Sequence, residues 1–391
     1  MSALFLTNPI LYGKMNIGFD GSYAILKNNT TEGNYSKTVV DSIAECYPRH
    51  RIFVYTPSVN NRSTATSLAV QPNVTIKQPR HSLSKTLWLH WKGMVKELQR
   101  HHIDVYHGLC GRLPLRIGAC RSRSVVTIHG LSYVKYAQDY KWWSRTKQKF
   151  FATRACGDAD AIVATSQIVK DDLTELMGVD PGRVHVIYPA VDKRFFTRTV
   201  EAELDAVSDK YKLPKHYILV ISSLLEHKNV LAVLRALKQM RNQDTQLVMV
   251  GSPTRYYAKV LRPYIDSNNL SQRVLHISRV HANDMASIYR LADVLVAPSR
   301  YEGFGLTVIE AQACDVPVIT TTGTAQQEAA GDAALFFEPD DVPALVAHLD
   351  RVLDDESLRE QLIEAGRRNI ERFTDHELAN NLDTLYHQLL R

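Results

Sequence analysis

Short apolar runs rich in β-branched residues alternate with longer helical patterns along this chain, and the alternation starts afresh past its midpoint. Strands separated by helices need crossover connections, and crossovers produce parallel sheets wrapped by helices. The first series predicts strands over 15–20, 51–55, 104–107, 124–129, 160–166 and 184–188, with helices over 38–45 and 168–177. The second predicts strands over 217–221, 246–251, 274–277, 293–297 and 317–320, with helices over 229–240 and 282–291. The stretch from Asp192 to Lys215 is polar and charged and lacks strand patterning, so it reads as a linker. Residues 342–390 read as consecutive helices. At 391 residues the chain exceeds what one core supports. Two α/β domains are expected, over 1–200 and 201–391, with a terminal helix able to return to the first.

Composition removes several classes. Hydrophobic residues make up 45% and charged residues 23%, the balance of an ordinary globular protein. No apolar run approaches the roughly 20 residues that span a bilayer. Residues 1–14 lack a basic start and a clear cleavage site, so they are not read as a signal peptide. The five cysteines are odd in number and form no CxxC pair, which favours reduced thiols and a cytoplasmic location. Charge is uneven: residues 1–200 hold 27 Lys and Arg against 14 Asp and Glu, the remainder 20 against 27. A basic first half fits an anionic membrane surface or a phosphorylated acceptor, or is solvated charge without a partner. The stretch from Tyr140 to Phe151 mixes aromatics with cations. It reads either as a helix lying peripherally on the inner face of a membrane or as core aromatics with solvent-facing lysines. No nucleic-acid partner is expected.

The most informative stretch is Pro298-Ser299-Arg300-Tyr301-Glu302-Gly303-Phe304-Gly305-Leu306-Thr307-Val308-Ile309-Glu310-Ala311. It leaves a buried-type strand, passes two glycines and enters a helical pattern. Glycines admit close approach of a ligand to the backbone, and N–H groups at a helix start favour an anion such as a diphosphate. A carboxylate beside a phosphate is electrostatically awkward unless it accepts hydrogen bonds from sugar hydroxyls.

On these residues the chain resembles the retaining GT-B glycosyltransferases called family four, whose motif is Glu, seven residues, Glu within an EGFGL-type loop. Glu302 and Glu310 match it, and the likeness continues through Glu310-Ala311-Gln312-Ala313-Cys314-Asp315-Val316-Pro317-Val318-Ile319, with Asp315 where Gly is usual. It extends from about Ile17 to Phe373. The resemblance implies two Rossmann-like domains facing across a cleft, with the donor nucleotide sugar on the second domain. It implies Glu310 on the ribose hydroxyls and Glu302 near the transferred sugar and departing phosphate. The backbone N–H groups of Gly303, Phe304, Gly305, Leu306 and Thr307 would hold sugar hydroxyls and diphosphate.

Four further segments extend the resemblance. In Ser222-Ser223-Leu224-Leu225-Glu226-His227-Lys228-Asn229, Lys228 would stabilise the leaving diphosphate. Ser223 stands where many members carry Arg. His129 in Thr127-Ile128-His129-Gly130 would contact the donor sugar or incoming hydroxyl, with Gly130 where Asp is frequent; a structural histidine is the alternative. Gly33 lies in Glu32-Gly33-Asn34-Tyr35-Ser36, which is similar to a glycine-rich loop near donor phosphates or acceptor, or forms an ordinary turn and helix start. Arg279 and Val280 follow a strand where the family contacts the base. Asp158-Ala159-Asp160 fits a metal-binding DxD pattern but precedes a strand, and is read as structural. No essential metal or other cofactor is expected.

The implied activity is retaining transfer of a hexose from a UDP- or GDP-sugar to a hydroxyl of a glycan or lipid-linked acceptor, in cell-surface polysaccharide synthesis. The alternatives are another GT-B enzyme, such as a nucleotide-sugar epimerase, and a non-catalytic nucleotide-sugar-binding subunit.

Overall fold

The computed structural model describes residues 13–26, 30–59, 68, 70–79 and 92–391. Residues 1–12 of the N-terminal segment discussed above lie outside the described residues. The chain forms two compact units. The first gathers the described residues of Met1–Thr127 with Arg154–Val163 and Leu378–Arg391, and the second gathers Ile128–Thr153 and Ala164–Glu377.

Both sheets are built from short strands, buried at the centre and partly exposed at the edges. The first contains β1 (Asn16–Asp20), β2 (Arg51–Tyr55), β3 (Val74–Lys77), β4 (Val105–Gly108), β5 (Arg123–Ile128), β6 (Ala161–Ala164) and β7 (Val184–Val186), in the order β3-β2-β1-β4-β5-β6-β7. The second contains β8 (Tyr217–Ile221), β9 (Gln246–Val250), β10 (Val274–Ile277), β11 (Val294–Ala297), β12 (Val318–Thr321) and β13 (Leu335–Phe337), in the order β10-β9-β8-β11-β12-β13. β1 pairs in parallel with β2 and β4, and β8 in parallel with β9 and β11. The two series of alternating runs therefore correspond to two Rossmann-like sheets.

β8 shows why these strands read as unbroken apolar runs. Tyr217 and Leu219 enter one core cluster, while Ile218 and Val220 enter another. A central parallel strand is covered on both faces, so both alternating sets of side chains must be apolar.

Four of the segments depart from expectation. The helix at Thr31–Cys46 begins seven residues before Thr38, because Thr30 caps it: its hydroxyl accepts from the Gly33 N–H at 3.1 Å. Glu32-Gly33-Asn34-Tyr35-Ser36 is thus the start of the helix itself. The stretch expected as a linker contains the helix Glu201–Tyr211, with Glu201 and Glu203 in its first turn. Val207 is its buried residue, and Tyr211 donates to Asp284 at 2.7 Å. One buried position makes too narrow an apolar stripe to show as periodicity. β3 and β13 are four and three residues long and were not predicted.

Within the first unit, the C-terminal helix Asp375–Leu390 supplies polar partners to buried histidines. His50 accepts from the Met15 N–H at 3.1 Å through Nδ1, so its Nε2 donates to Asp383 at 2.7 Å. His107 is fully buried between the Tyr386 hydroxyl at 2.7 Å and Thr127 Oγ1 at 2.8 Å, a structural histidine. Among the described residues no helix is long and apolar enough to cross a membrane.

Candidate active site

The second sheet reverses its order between β8 and β11, since β9 and β10 extend to one side and β12 and β13 to the other. Ligands of open parallel sheets bind beyond the carboxyl ends of the strands at such a reversal. The loops leaving these two strands carry Ser222–Asn229 and Pro298–Gly305. They meet at an ion pair: Lys228 Nζ donates to Glu302 Oε1 at 2.6 Å, and Ser299 Oγ donates to the same oxygen at 3.0 Å. A lysine ammonium has three donors, so this contact leaves capacity for a second anionic partner.

The Lys228 turn is braced from a distant part of the sequence. Asp139 accepts from the backbone N–H of Glu226 at 3.3 Å and of His227 at 3.1 Å, and takes a further bond from His227 Nδ1. The His227 side chain is almost wholly buried, with Tyr136 beside it at 5.2 Å between ring centres. Burial lowers the His227 pKa, the Lys228 ammonium lowers it further, and Asp139 opposes both. Arg300 N–H donates to the His227 carbonyl at 2.8 Å, joining this turn to the Glu302 loop.

The same loop packs against the segment after β5. A Cβ added to Gly303 would lie 1.5 Å from the His129 carbonyl oxygen, so only glycine fits there. Gly130 has φ +139°, and a Cβ there would meet the Gly303 Cα at 3.2 Å. That geometry accounts for glycine where the resemblance expects aspartate. Tyr301 ties the two segments: its hydroxyl accepts from the Leu131 N–H at 2.8 Å and donates to Asp172 Oδ2 at 2.8 Å. Lys135 pairs with the other oxygen of this buried aspartate and lies over the Tyr301 ring at 5.3 Å. Thr165 Oγ1 donates to the Gly303 carbonyl at 2.9 Å.

Gly305, at φ +125°, starts the helix Leu306–Ala313 without a side-chain cap. Leu306 and Thr307 occupy its first two positions and are half-buried. Phe304 is buried, stacked on Tyr188 at 5.6 Å and edge-on to Phe373 at 5.4 Å, which anchors the loop. Glu310 lies further along the helix, where Oε2 accepts from the Tyr289 hydroxyl at 2.7 Å. Burial raises the Glu310 pKa to about 7, against the Tyr289 hydrogen bond and the Arg194 guanidinium, which pull it down.

The second unit therefore brings together the His129 backbone, Lys228, Glu302 and Gly303, with Gly305 to Glu310 leading out of the same loop. Ser223 and Arg279 are exposed, and Val280 packs against the core. Gly33 belongs to the first unit, where its N–H is engaged by Thr30. Asp160 accepts from Ser124 N–H at 2.8 Å and Ser124 Oγ at 2.9 Å, and Asp158 pairs with Arg154 at 3.4 Å. Among the described residues no group of three or more His, Cys, Asp or Glu could hold a metal ion. Sequence reasoning missed Asp139, His227, Tyr289, Tyr301 and Asp172 as site residues. Their partners are 21 to 170 positions away, so no local spacing marks them.

A sheet reversal lined by a lysine, a glutamate and a glycine-rich helix start suits an anionic ligand, and the comparisons name the family. Residues 204–369 match the family Glycosyl transferases group 1, and residues 37–195 match Glycosyltransferase Family 4. The chain belongs to these group 1, family 4 glycosyltransferases, and its fold is GT-B. It is 27% identical over 291 residues to the O-antigen chain mannosyltransferase B of Escherichia coli, covering 73% of this chain and 74% of that one. It is 30% identical over 240 residues to the D-inositol 3-phosphate glycosyltransferase of Jonesia denitrificans, covering 58% and 56%. The structure of Anabaena Alr3699/HepE in complex with UDP-glucose superimposes with TM-score 0.72 at 17% identity, over 95% of this chain and 99% of that one. The chain is thus a glycosyltransferase, with relatives in polysaccharide synthesis.

Proposed function

We propose that this enzyme transfers a hexose, mannose foremost, from a nucleotide-diphosphate sugar to a hydroxyl of a glycan or lipid-linked acceptor, with retention at the anomeric carbon and without a metal ion. The observation that carries this reading is the Lys228–Glu302 pair at 2.6 Å, which joins the loops after β8 and β11 where the sheet reverses. Mannose is favoured by the E. coli mannosyltransferase relative, and a nucleotide-diphosphate donor by the UDP-glucose held in the structural relative.

In this reading Glu310 accepts from the ribose hydroxyls, and Arg279 with the backbone at Val280 borders the base. Lys228 keeps Glu302 on one N–H and donates to the diphosphate with another, so the carboxylate beside the phosphate is not left uncompensated. The N–H groups of Gly303 to Thr307 hold sugar hydroxyls and diphosphate at the start of a helix whose dipole favours an anion. The bond from the anomeric carbon to the diphosphate oxygen breaks as the acceptor oxygen bonds on the same face. The acceptor proton passes to the departing diphosphate oxygen. Lys228 and the loop N–H groups stabilise the charge that develops there. His129 borders the sugar.

Slow donor hydrolysis and thermal shift across UDP- and GDP-sugars, with EDTA present, test the reading. It predicts that one donor stabilises the protein and is cleaved with retained anomeric configuration, and that Glu310→Gln impairs both effects. An absolute need for divalent metal, an inverted anomer, or release of an epimerised sugar without acceptor would overturn it.

A further inference from the structure

The helix Trp142–Asp158 is exposed along its first three turns in an unusual way. Trp142 is 74% exposed, Trp143 56% and Phe150 59%. A soluble surface scatters such side chains singly, whereas these three fall within nine consecutive positions. At 3.6 residues per turn, Trp142, Phe150 and Trp143 fall within about a third of the helix circumference. Lys147 flanks this aromatic stripe on one side, and Lys149 and Arg145 flank it on the other. All three are exposed, as is Lys141, whose ammonium lies 5.9 Å from the centre of the Trp143 ring. Ala152, Ala155 and Cys156, further along the helix, are buried and hold it to the protein. No acidic residue occurs from Tyr140 to Gly157.

We infer that this helix face is a docking surface for an anionic lipid bilayer. Indole rings prefer the headgroup level, where an apolar body meets a polar edge, and flanking cations meet lipid phosphates without leaving water. A protein partner would be expected to bring its own acids and leave a mixed-charge rim. The unbroken cationic border around three aromatics instead matches a surface of uniform negative charge. The occupant is therefore a membrane leaflet containing anionic phospholipid. None of these side chains is among the groups gathered around Lys228 and Glu302, and binding to lipid can be tested without any donor or acceptor.

The test is flotation and tryptophan fluorescence of the full-length protein with vesicles of phosphatidylcholine alone or with phosphatidylglycerol. Trp142 and Trp143 are two of four tryptophans, so lipids brominated along their acyl chains report insertion directly. The expected result is binding and quenching with anionic vesicles, roughly tenfold weaker or absent on neutral ones. The triple variant Trp142→Ala, Trp143→Ala, Phe150→Ala loses binding by roughly tenfold or more. The variant Lys141→Glu, Arg145→Glu, Lys147→Glu, Lys149→Glu loses roughly a hundredfold or more. All seven substituted residues are exposed, and unchanged thermal unfolding confirms that each variant folds. Absence of binding by the parent protein would overturn the inference, as would equal binding by the triple variant. A parent dimer in sedimentation velocity that the triple variant abolishes, with no vesicle binding, would assign the face to a second copy instead.

Discussion

The loop at Glu302 and the helix at Glu310 come from one motif, yet they present their carboxylates in opposite settings. Glu302 faces an ammonium at 2.6 Å, whereas Glu310 faces a neutral phenol at 2.7 Å. The first carboxylate is compensated by charge; the second is desolvated, and its pKa is raised to about 7. In the proposed reaction these two acids, eight positions apart, serve different tasks, one managing charge beside a phosphate and one holding neutral hydroxyls. The difference arises because each takes its partner from a different part of the fold: Lys228 from the loop after β8, Tyr289 from the helix Met285–Arg290.

The largest effect should come from the loop. Lys228→Ala should lower kcat by roughly a hundredfold to a thousandfold, because charge on the leaving group then lacks its cation. Steady-state kinetics with unchanged thermal unfolding would check this, and a change confined to KM would break the distinction between the two carboxylates. Gly303→Ala forces its Cβ to within 1.5 Å of the His129 carbonyl unless the loops part. It should cost roughly a hundredfold in kcat/KM, measured beside circular dichroism that shows an intact fold.

Tyr301→Phe removes one hydroxyl from the buried Leu131–Tyr301–Asp172 chain. Leaving a buried N–H and a carboxylate oxygen short of partners should destabilise the protein by about 1–3 kcal/mol in urea unfolding. Tyr301 supports the loop rather than touching the reacting atoms, so the loss of activity should be smaller than for Lys228→Ala.

The smallest effect lies in the helix and sharpens the contrast. The folded Glu310 holds its proton up to about 7, whereas the unfolded carboxyl releases it near 4.5. This group's contribution to stability is therefore full below about 4.5 and lost as pH rises through about 7. Glu310→Gln should gain stability relative to the parent as pH rises across that window, in pH-dependent unfolding.

The broad architecture was legible because parallel strands covered on both faces leave continuous apolar runs, as at Tyr217–Ile221. The motif at 298–311 was legible because glycine, carboxylate and helix start are contiguous. Long-range polar partners were not: Asp139 reaches His227 across 88 positions, and Tyr301 reaches Asp172 across 129. Short edge strands such as Leu335–Phe337 bury too few residues to declare a period. The Glu201–Tyr211 helix was hidden for the same reason. Gly130 looked like a departure from the family pattern, and the close Gly303 backbone supplies its physical reason.

Calorimetric titration of the protein with GDP-mannose and with UDP-glucose, in EDTA, tests the central claim most directly when repeated on Lys228→Ala and Glu310→Gln. The account predicts metal-free binding of one donor, weakened roughly tenfold by Glu310→Gln and also weakened by Lys228→Ala. Donor binding of equal strength in all three proteins would contradict it, because the nucleotide sugar would then sit away from the carboxyl ends of β8 and β11.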